Sequence, residues 1–250
     1  CGSEASKTGV ENEKQLKLVT VYPANTTDPH RVHTAFILSS GTMETLVGLN
    51  PKTLEAFPWL AESWKTDDAK HWEFKIRKGV KFHNGKELTA EAVKASLERS
   101  ISVNPGVKAA LKIASIEVID SYTLRITTEN SYPSLISGLV HFNSVIMDVN
   151  APEDKPPIGT GAFMFEKFDP STGAVLIKNP HYWDGMAKLD RVYMTANQDA
   201  NARLLALQSG DADILYSLSL ESLDVLHKNP KLVIESVPGT RVSHFIYNYA

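Results

Sequence analysis

Trp72-Glu73-Phe74-Lys75-Ile76-Arg77-Lys78-Gly79-Val80-Lys81-Phe82-His83-Asn84-Gly85 is the stretch whose reading decides the fold. Trp72, Phe74 and Ile76 alternate with Glu73, Lys75 and Arg77, the period of two that marks a half-buried antiparallel strand. Val80 and Phe82 lead into Asn84-Gly85, a pair that supplies positive φ and predicts a tight turn closing the ribbon. Beyond it, Leu88-Thr89-Ala90-Glu91-Ala92-Val93 changes the period. Thr89 is a good N-cap with Glu91 in the first turn, and Ala92, Val93, Ser96 and Leu97 form the buried stripe of a helix. Two more strands, at 116–119 and 123–128, join at Asp120-Ser121, so residues 49–150 read as a small α+β unit.

Upstream, residues 16–22 alternate and are rich in β-branched side chains, which predicts the first ordered strand. The turn-forming run Pro23-Ala24-Asn25-Thr26-Thr27-Asp28-Pro29 ends it. Residues 34–48 read as a helix, with apolar positions Phe36, Ile37, Met43, Leu46 and Val47 and a stop at Gly48. Downstream, Pro152-Glu153-Asp154-Lys155-Pro156-Pro157 is the clearest punctuation in the chain and marks a boundary. Strands are expected at 161–168, 174–178 and 191–195, then a helix over 199–209 stopped by Gly210. Short strands are expected at 213–216, 231–237 and 244–250, the last with no polar exit.

The chain has 250 residues, 42% hydrophobic and 22% charged, with a net charge of −3. That composition supports a real core and argues against disorder or a coiled coil. It leaves no broad basic surface for nucleic acid. No apolar run approaches the roughly 20 residues that span a bilayer. The only cysteine is Cys1. Because translation starts with methionine, this numbering is read as removal of a leader peptide. Cys1 followed by a polar tether over 1–15 predicts a lipoprotein, acylated at Cys1 and held extracytoplasmically on the bacterial membrane; an arbitrary chain start leaving a free thiol is the alternative. With no second cysteine, stability must come from packing.

Taken in order, these motifs resemble the peptide/nickel class of solute-binding proteins that feed ABC importers, over residues 16–250. Pro58-Trp59-Leu60-Ala61-Glu62-Ser63-Trp64 is similar to the family's acidic-tryptophan segment, and 72–85 with 88–93 to its strand, turn and helix signature. Ile158-Gly159-Thr160-Gly161-Ala162-Phe163, Asn179-Pro180-His181-Tyr182-Trp183 and Ser209-Gly210-Asp211-Ala212-Asp213-Ile214 complete the order. The resemblance implies an α/β, periplasmic-binding-protein-like type II lobe from residues 16–48 and 151–250, with 49–150 as an inserted α+β subdomain and a second lobe beyond residue 250. It also implies a small-molecule ligand and an ABC permease as partners. Trp59, Trp64, Trp72 and Trp183 are read as filling core or seams, and Gly159 and Gly161 as permitting a tight backbone turn, so these motifs are scaffold.

Ligand contacts are expected on loops at strand ends. The first stretch holds Tyr22 and Asp28-Pro29-His30-Arg31-Val32-His33, and resembles the Asn-Pro-His segment of nickel-type members, whose next residues face the cleft. Arg31 has the chemistry to pair with a carboxylate, and His33 to ligate a metal or to hydrogen-bond a chelator. The second stretch is Val140-His141-Phe142-Asn143-Ser144. Nickel-chelate members place an arginine near this point; this chain has none, which makes His141 and Asn143 the replacement candidates, with His141 a second metal candidate. Solvated surface is the competing reading for each of these residues. His244, Tyr247 and Asn248 are weaker candidates, and His71, His83, His181 and His227 read as structural or exposed.

No His-Glu-x-x-His, Gly-x-x-x-x-Gly-Lys or Gly-x-Ser-x-Gly occurs, and Cys1 is misplaced for a catalytic thiol. The expected function is therefore capture, not catalysis: lobe closure on a solute, with no resident cofactor. A nickel or other transition-metal chelate is the favoured cargo, an oligopeptide the alternative, and a lipoprotein adhesion or sensor module the reading of a different class.

Overall fold

The computed structural model describes residues 13–152 and 155–236. The chain divides after Tyr216 into two units. In the first, β1 (Gln15–Thr20) is followed by a loop and a single helical turn, α1 (Phe36–Ser39). β2 (Val47–Leu49) and β3 (Ala56–Pro58) pair as a small hairpin. β4 (Ala61–Lys65) and β5 (His71–Ile76) precede two helices, α2 (Ala90–Val103) and α3 (Pro105–Leu111). Strands β6 (Ile113–Asp120) and β7 (Thr123–Thr128) lead to α4 (Leu135–Leu139). Then come β8 (Phe163–Asp169), β9 (Gly173–Lys178), β10 (Arg191–Ala196), α5 (Ala200–Ser209) and β11 (Ile214–Leu215).

These strands make a four-stranded antiparallel sheet in the order β4-β5-β7-β6 and a five-stranded sheet in the order β11-β1-β10-β9-β8. In the first, Trp72, Phe74 and Ile76 face inward on β5 against Val93 and Leu97 of α2. The other face carries a rung of alternating charge, Lys65, Glu73, Arg125 and Glu117, in register across the four strands. Opposite charges placed side by side support this pairing at its solvated face. Thr89 caps α2 by accepting from the Ala92 N–H, and Gly85 adopts φ +84° in the turn that returns Lys86 to Phe82. In the five-stranded sheet β1 runs parallel to both β10 and β11, while β10, β9 and β8 are antiparallel. Phe36, Ile37, Met43, Leu176 and Met194 belong to its core.

The expected helix over 34–48 is cut short. It ends at Ser39, and Gly41 takes φ +69°. The Ser40 hydroxyl donates to the Ile37 carbonyl at 2.6 Å, closing the turn. The chain beyond runs as a rail whose carbonyls serve three segments: Gly41 accepts from Phe163 and Thr42 from Gly161, Glu44 from Ile146, and Leu46 from Ala61. Met43, Leu46 and Val47 are buried, but by neighbours on several sides and not on one helical face. Gly161 is required by this close approach: a Cβ there would lie 2.1 Å from the Gly41 carbonyl oxygen. The glycine therefore admits a neighbouring backbone, where a tight turn was expected.

The short helix α3 was not anticipated, although its start is conventional. Asn104 accepts from the N–H groups of Gly106 and Val107, and Pro105 occupies the first turn. Gly210 ends α5 in the left-handed region at φ +81°, as expected. Part of the predicted 1–15 tether lies outside the described residues, but Glu13 already pairs with Arg191 at 2.9 Å and Gln15 opens β1. Among the described residues no helix is long and apolar enough to cross a membrane.

In the second unit, a 3-10 turn (Leu220–Ser222) leads into α6 (Leu223–His227). The strand expected at 231–237 does not form over 231–236. Asn229 accounts for this by accepting the Lys231 N–H on its side chain and the Leu232 N–H on its carbonyl, which makes a turn there. The strand expected at 244–250, with His244, Tyr247 and Asn248, lies outside the described residues.

Candidate functional site

The loop after β1 is fixed by polar groups that lie far away in sequence. Arg99, on α2, reaches both oxygens of Asp28 through Nη1 and Nη2 at 3.0 and 2.9 Å, the planar fork that suits a carboxylate. Its Nη1 also lies 3.0 Å from Nδ1 of His30. His30 is fully buried, and its Nε2 lies 3.0 Å from the Val145 carbonyl. A carbonyl only accepts and a guanidinium only donates, so the ring is the neutral Nε2–H tautomer. Burial, helped by the Arg99 charge, pushes its pKa down to about 4. Burial alone would raise the Asp28 pKa, but the hydrogen bonds and charge of Arg99 outweigh it and hold the carboxyl below its usual range.

Two asparagines complete the fastening. Asn104 donates to the His30 carbonyl at 2.8 Å. Asn143 is buried and donates to the carbonyls of Pro29 and Val32 at 3.1 and 2.9 Å. The two stretches singled out in the sequence are thus one network, with Asn143 joining them. What the network leaves outward is Arg31 and His33, both exposed. Arg31 Nε lies 3.3 Å from Asp28 Oδ2, and the His33 N–H donates to Asn25 Oδ1 at 2.9 Å. Tyr22 is 61% exposed.

His141 is exposed and its ring packs on Phe142 with centroids 4.1 Å apart. Its Nδ1 accepts the Asn143 N–H at 3.2 Å, capping the 3-10 turn Phe142–Ser144. The nitrogen left over is Nε2, which carries the proton in a neutral ring. His141 therefore offers a hydrogen-bond donor in this arrangement, and ligation of a metal through Nε2 would need Nδ1 to leave its cap. Burial lowers its pKa, which favours the neutral form. A cavity of about 210 Å³ opens beside it, lined by Asn104, Val107, Leu111, His141 and Asn143. That is below the roughly 300 Å³ at which small-molecule sites usually begin. Among the described residues no three His, Cys, Asp or Glu side chains are placed to hold a metal ion.

A second polar centre is built from the signature motifs. Glu44 is 1% exposed, and its Oε1 accepts from Trp59 Nε1 at 2.6 Å and from the Tyr182 hydroxyl at 2.7 Å. Its Oε2 accepts from the Thr160 hydroxyl at 2.6 Å, and Trp183 Nε1 lies 3.3 and 3.2 Å from the two oxygens. Burial raises the Glu44 pKa, and these hydrogen bonds counter the shift only in part. The donors are neutral; the nearby cation, Arg77, sits over the Trp183 ring at 4.4 Å from its centroid. The tryptophans thus fill seams as read from the sequence, while the carboxylate they converge on was missed. Its signal was an acidic residue within an apolar run.

Comparison with known proteins bears on the family and the fold. A crystal structure of a nickel ABC transporter from Bacillus halodurans superposes with a TM-score of 0.83 at 44% identity, over 87% of this chain and 46% of that one. The curated nickel-binding protein NikA of Staphylococcus aureus is 29% identical over 252 residues, 100% of this chain and 49% of its own length. A structure of NikA from S. aureus in complex with Ni(L-His)2 gives a TM-score of 0.82 at 28% identity, over 87% of this chain and 46% of that one. The probable D,D-dipeptide-binding periplasmic protein DdpA of Escherichia coli is 30% identical over 202 residues, 76% of this chain and 39% of its own length. The chain thus spans about half the length of the curated relatives it matches, or less. Residues 55–250 match the model for bacterial extracellular solute-binding proteins, family 5. The chain therefore belongs to that family of extracellular solute-binding proteins.

Proposed function

We propose that this chain forms one lobe of a solute-binding protein that captures a transition-metal chelate, nickel foremost, and delivers it to an ABC permease. In this reading residues 16–48 and 151–250 make the lobe and 49–150 its inserted subdomain. Tyr22, Arg31, His33 and His141 meet the solute, and Asn143 holds the loop from behind. Arg31 and the Nε2–H of His141 take carboxylate oxygens, and His33 is the candidate metal ligand. Lipid on Cys1 would anchor the protein at the outer face of the membrane.

The observation that carries the reading is the pairing of an exposed Arg31 and His33 on a rigidly fastened loop with relatives named for nickel. The described residues supply no closed metal cage, which fits a cargo that brings its own ligands. Capture then needs differential affinity for the closed state and no covalent chemistry. An oligopeptide is the second reading, favoured by the likeness to DdpA.

Calorimetric titration of the full-length protein with nickel plus L-histidine, nickel alone and a mixture of short peptides separates these. Heat with nickel plus L-histidine and little with nickel alone supports the chelate. Heat with peptides only moves the assignment to the second reading.

A further inference from the structure

Asp28 is approached by two guanidinium groups of different standing. Arg99 spans both oxygens and its side chain is 21% exposed; Arg31 reaches only Oδ2, at 3.3 Å, and its side chain is 56% exposed. Asp28 Oδ1 also accepts the His30 N–H at 3.0 Å. With Arg31 taken away, each oxygen of Asp28 still accepts a hydrogen bond from Arg99, and the carboxylate still has a bidentate counter-ion. The Arg31 end of this contact lies in solvent, although Asp28 itself is only 17% exposed, and ion pairs screened in this way bias a side chain by only about two- to fivefold.

We infer that Asp28 parks Arg31 on the loop and that Arg99 is the positioning residue that lets Arg31 leave for a carboxylate of the incoming solute. Without Arg99, Asp28 would hold Arg31 as its one guanidinium partner, and transfer would strand a carboxylate only 17% exposed. With Arg99 in place, Arg31 exchanges one carboxylate for another while Asp28 keeps its charge balanced. The inference rests on the reading of Arg31 as a solute contact. Amino-acid chelates and peptides both carry the carboxylate it needs.

Phenylglyoxal labelling of arginine in the full-length protein, read by peptide mapping, tests both halves. In the unliganded protein Arg31 should label faster than Arg99. Asp28→Asn should speed Arg31 labelling about two- to fivefold, and Arg99→Gln should slow it by a similar factor, the range a solvent-screened ion pair supplies. The second sign is decisive, because simple loosening of the loop would speed labelling. Arg99→Gln with native circular dichroism and an Arg31 rate at or above wild type overturns the inference. If Arg99→Gln does not fold, Arg99→Lys carries the same test: it keeps the charge but cannot span both oxygens, so Arg31 should still slow, and a rate at or above wild type overturns the inference. Nickel plus L-histidine, or a short peptide, should then protect Arg31 in the wild type, and whichever probe protects identifies the source of the carboxylate. Protection by neither, with the variants behaving as expected, refutes transfer to a solute and removes Arg31 from the proposed site, leaving the ion-pair arrangement intact.

Discussion

Replacing Glu44 with leucine tests whether the signature motifs are held by one buried carboxylate. The substitution keeps the volume roughly constant but leaves Thr160, Tyr182, Trp59 and Trp183 without their acceptor. Thr160 is fully buried, so its hydroxyl has no water to turn to; the other three are half-buried. An orphaned buried donor costs about 1–3 kcal/mol, and partly wet ones fall at the low end. Removing a carboxylate whose charged form is disfavoured by burial offsets part of this. The net loss is about 2–5 kcal/mol, which for a domain of this size lowers the melting temperature by about 4–20 °C. Glu44→Gln is the control. Its carbonyl oxygen retains Trp59 and Tyr182, its amide donates to Thr160, whose hydroxyl can turn to accept, and the loss stays under about 1 kcal/mol.

The two variants also separate in pH. A carboxyl whose pKa is raised on folding contributes stability below its unfolded value, near 4.3, and that contribution is lost as pH rises through the folded value. Glutamine abolishes this slope. Thermal melts followed by circular dichroism between pH 4 and 9 read both effects. A Glu44→Leu protein melting within about 2 °C of wild type, or a Glu44→Gln protein as weak as the leucine variant, would refute the argument, since either result lies outside what four orphaned donors produce.

His30 and His83 both have pKa values pushed down to about 4 by burial, so the stability they contribute is fully present above about pH 6.5 and is lost as pH falls towards 4. Urea melts should show about 2–4 kcal/mol lost per histidine across that window, and His30→Gln should flatten its share. Gly161→Ala drives a Cβ to within 2.1 Å of the Gly41 carbonyl oxygen and 2.7 Å of the Thr42 carbonyl carbon. Both obstacles are backbone, so a loss of about 3 kcal/mol or more is expected in denaturant melts. Asn104→Ala removes the cap of α3 and the bond to the His30 carbonyl together. It should cost about 1.5–3 kcal/mol and speed hydrogen exchange at the amides of Gly106 and Val107.

What was legible in the sequence was whatever a local period or cap could report. The alternation Trp72-Phe74-Ile76 and the cap at Thr89 each act within a few residues, and both elements appear where they were expected. The segment 34–48 misled because beyond Ser40 its backbone is bonded by three different segments and its apolar residues are buried from several sides, which imitates helical spacing. Gly41 was the contrary sign. Arg31, His33, His141 and Asn143 were nameable only as candidates, and the network that arranges them was not legible: Arg99 lies 71 residues from Asp28, and Asn143 lies 111 from Val32. Nothing in the spelling of α2 marks Arg99 as different from an ordinary exposed arginine. His30 stands in the same stretch as His33, and only its two ring partners show that it serves the loop from inside.

The parallel pairing of β1 with β10 sets the order in which this chain is able to acquire its shape. Gln15 pairs with Arg191, which ribosomes deliver 176 residues later, roughly 10–35 s at ordinary elongation rates of about 5–20 residues per second. Through that interval the first strand has neither neighbour, because β11 arrives later still. The β4-β5-β7-β6 sheet draws its strands from residues 61–128 and is complete well before then. A newborn molecule therefore carries a finished small sheet and a waiting β-rich segment with both backbone edges unpaired, a template for wrong partners. Of the described sheets the larger is the last that is able to close, and segment 15–20 is the element that waits longest for its neighbours.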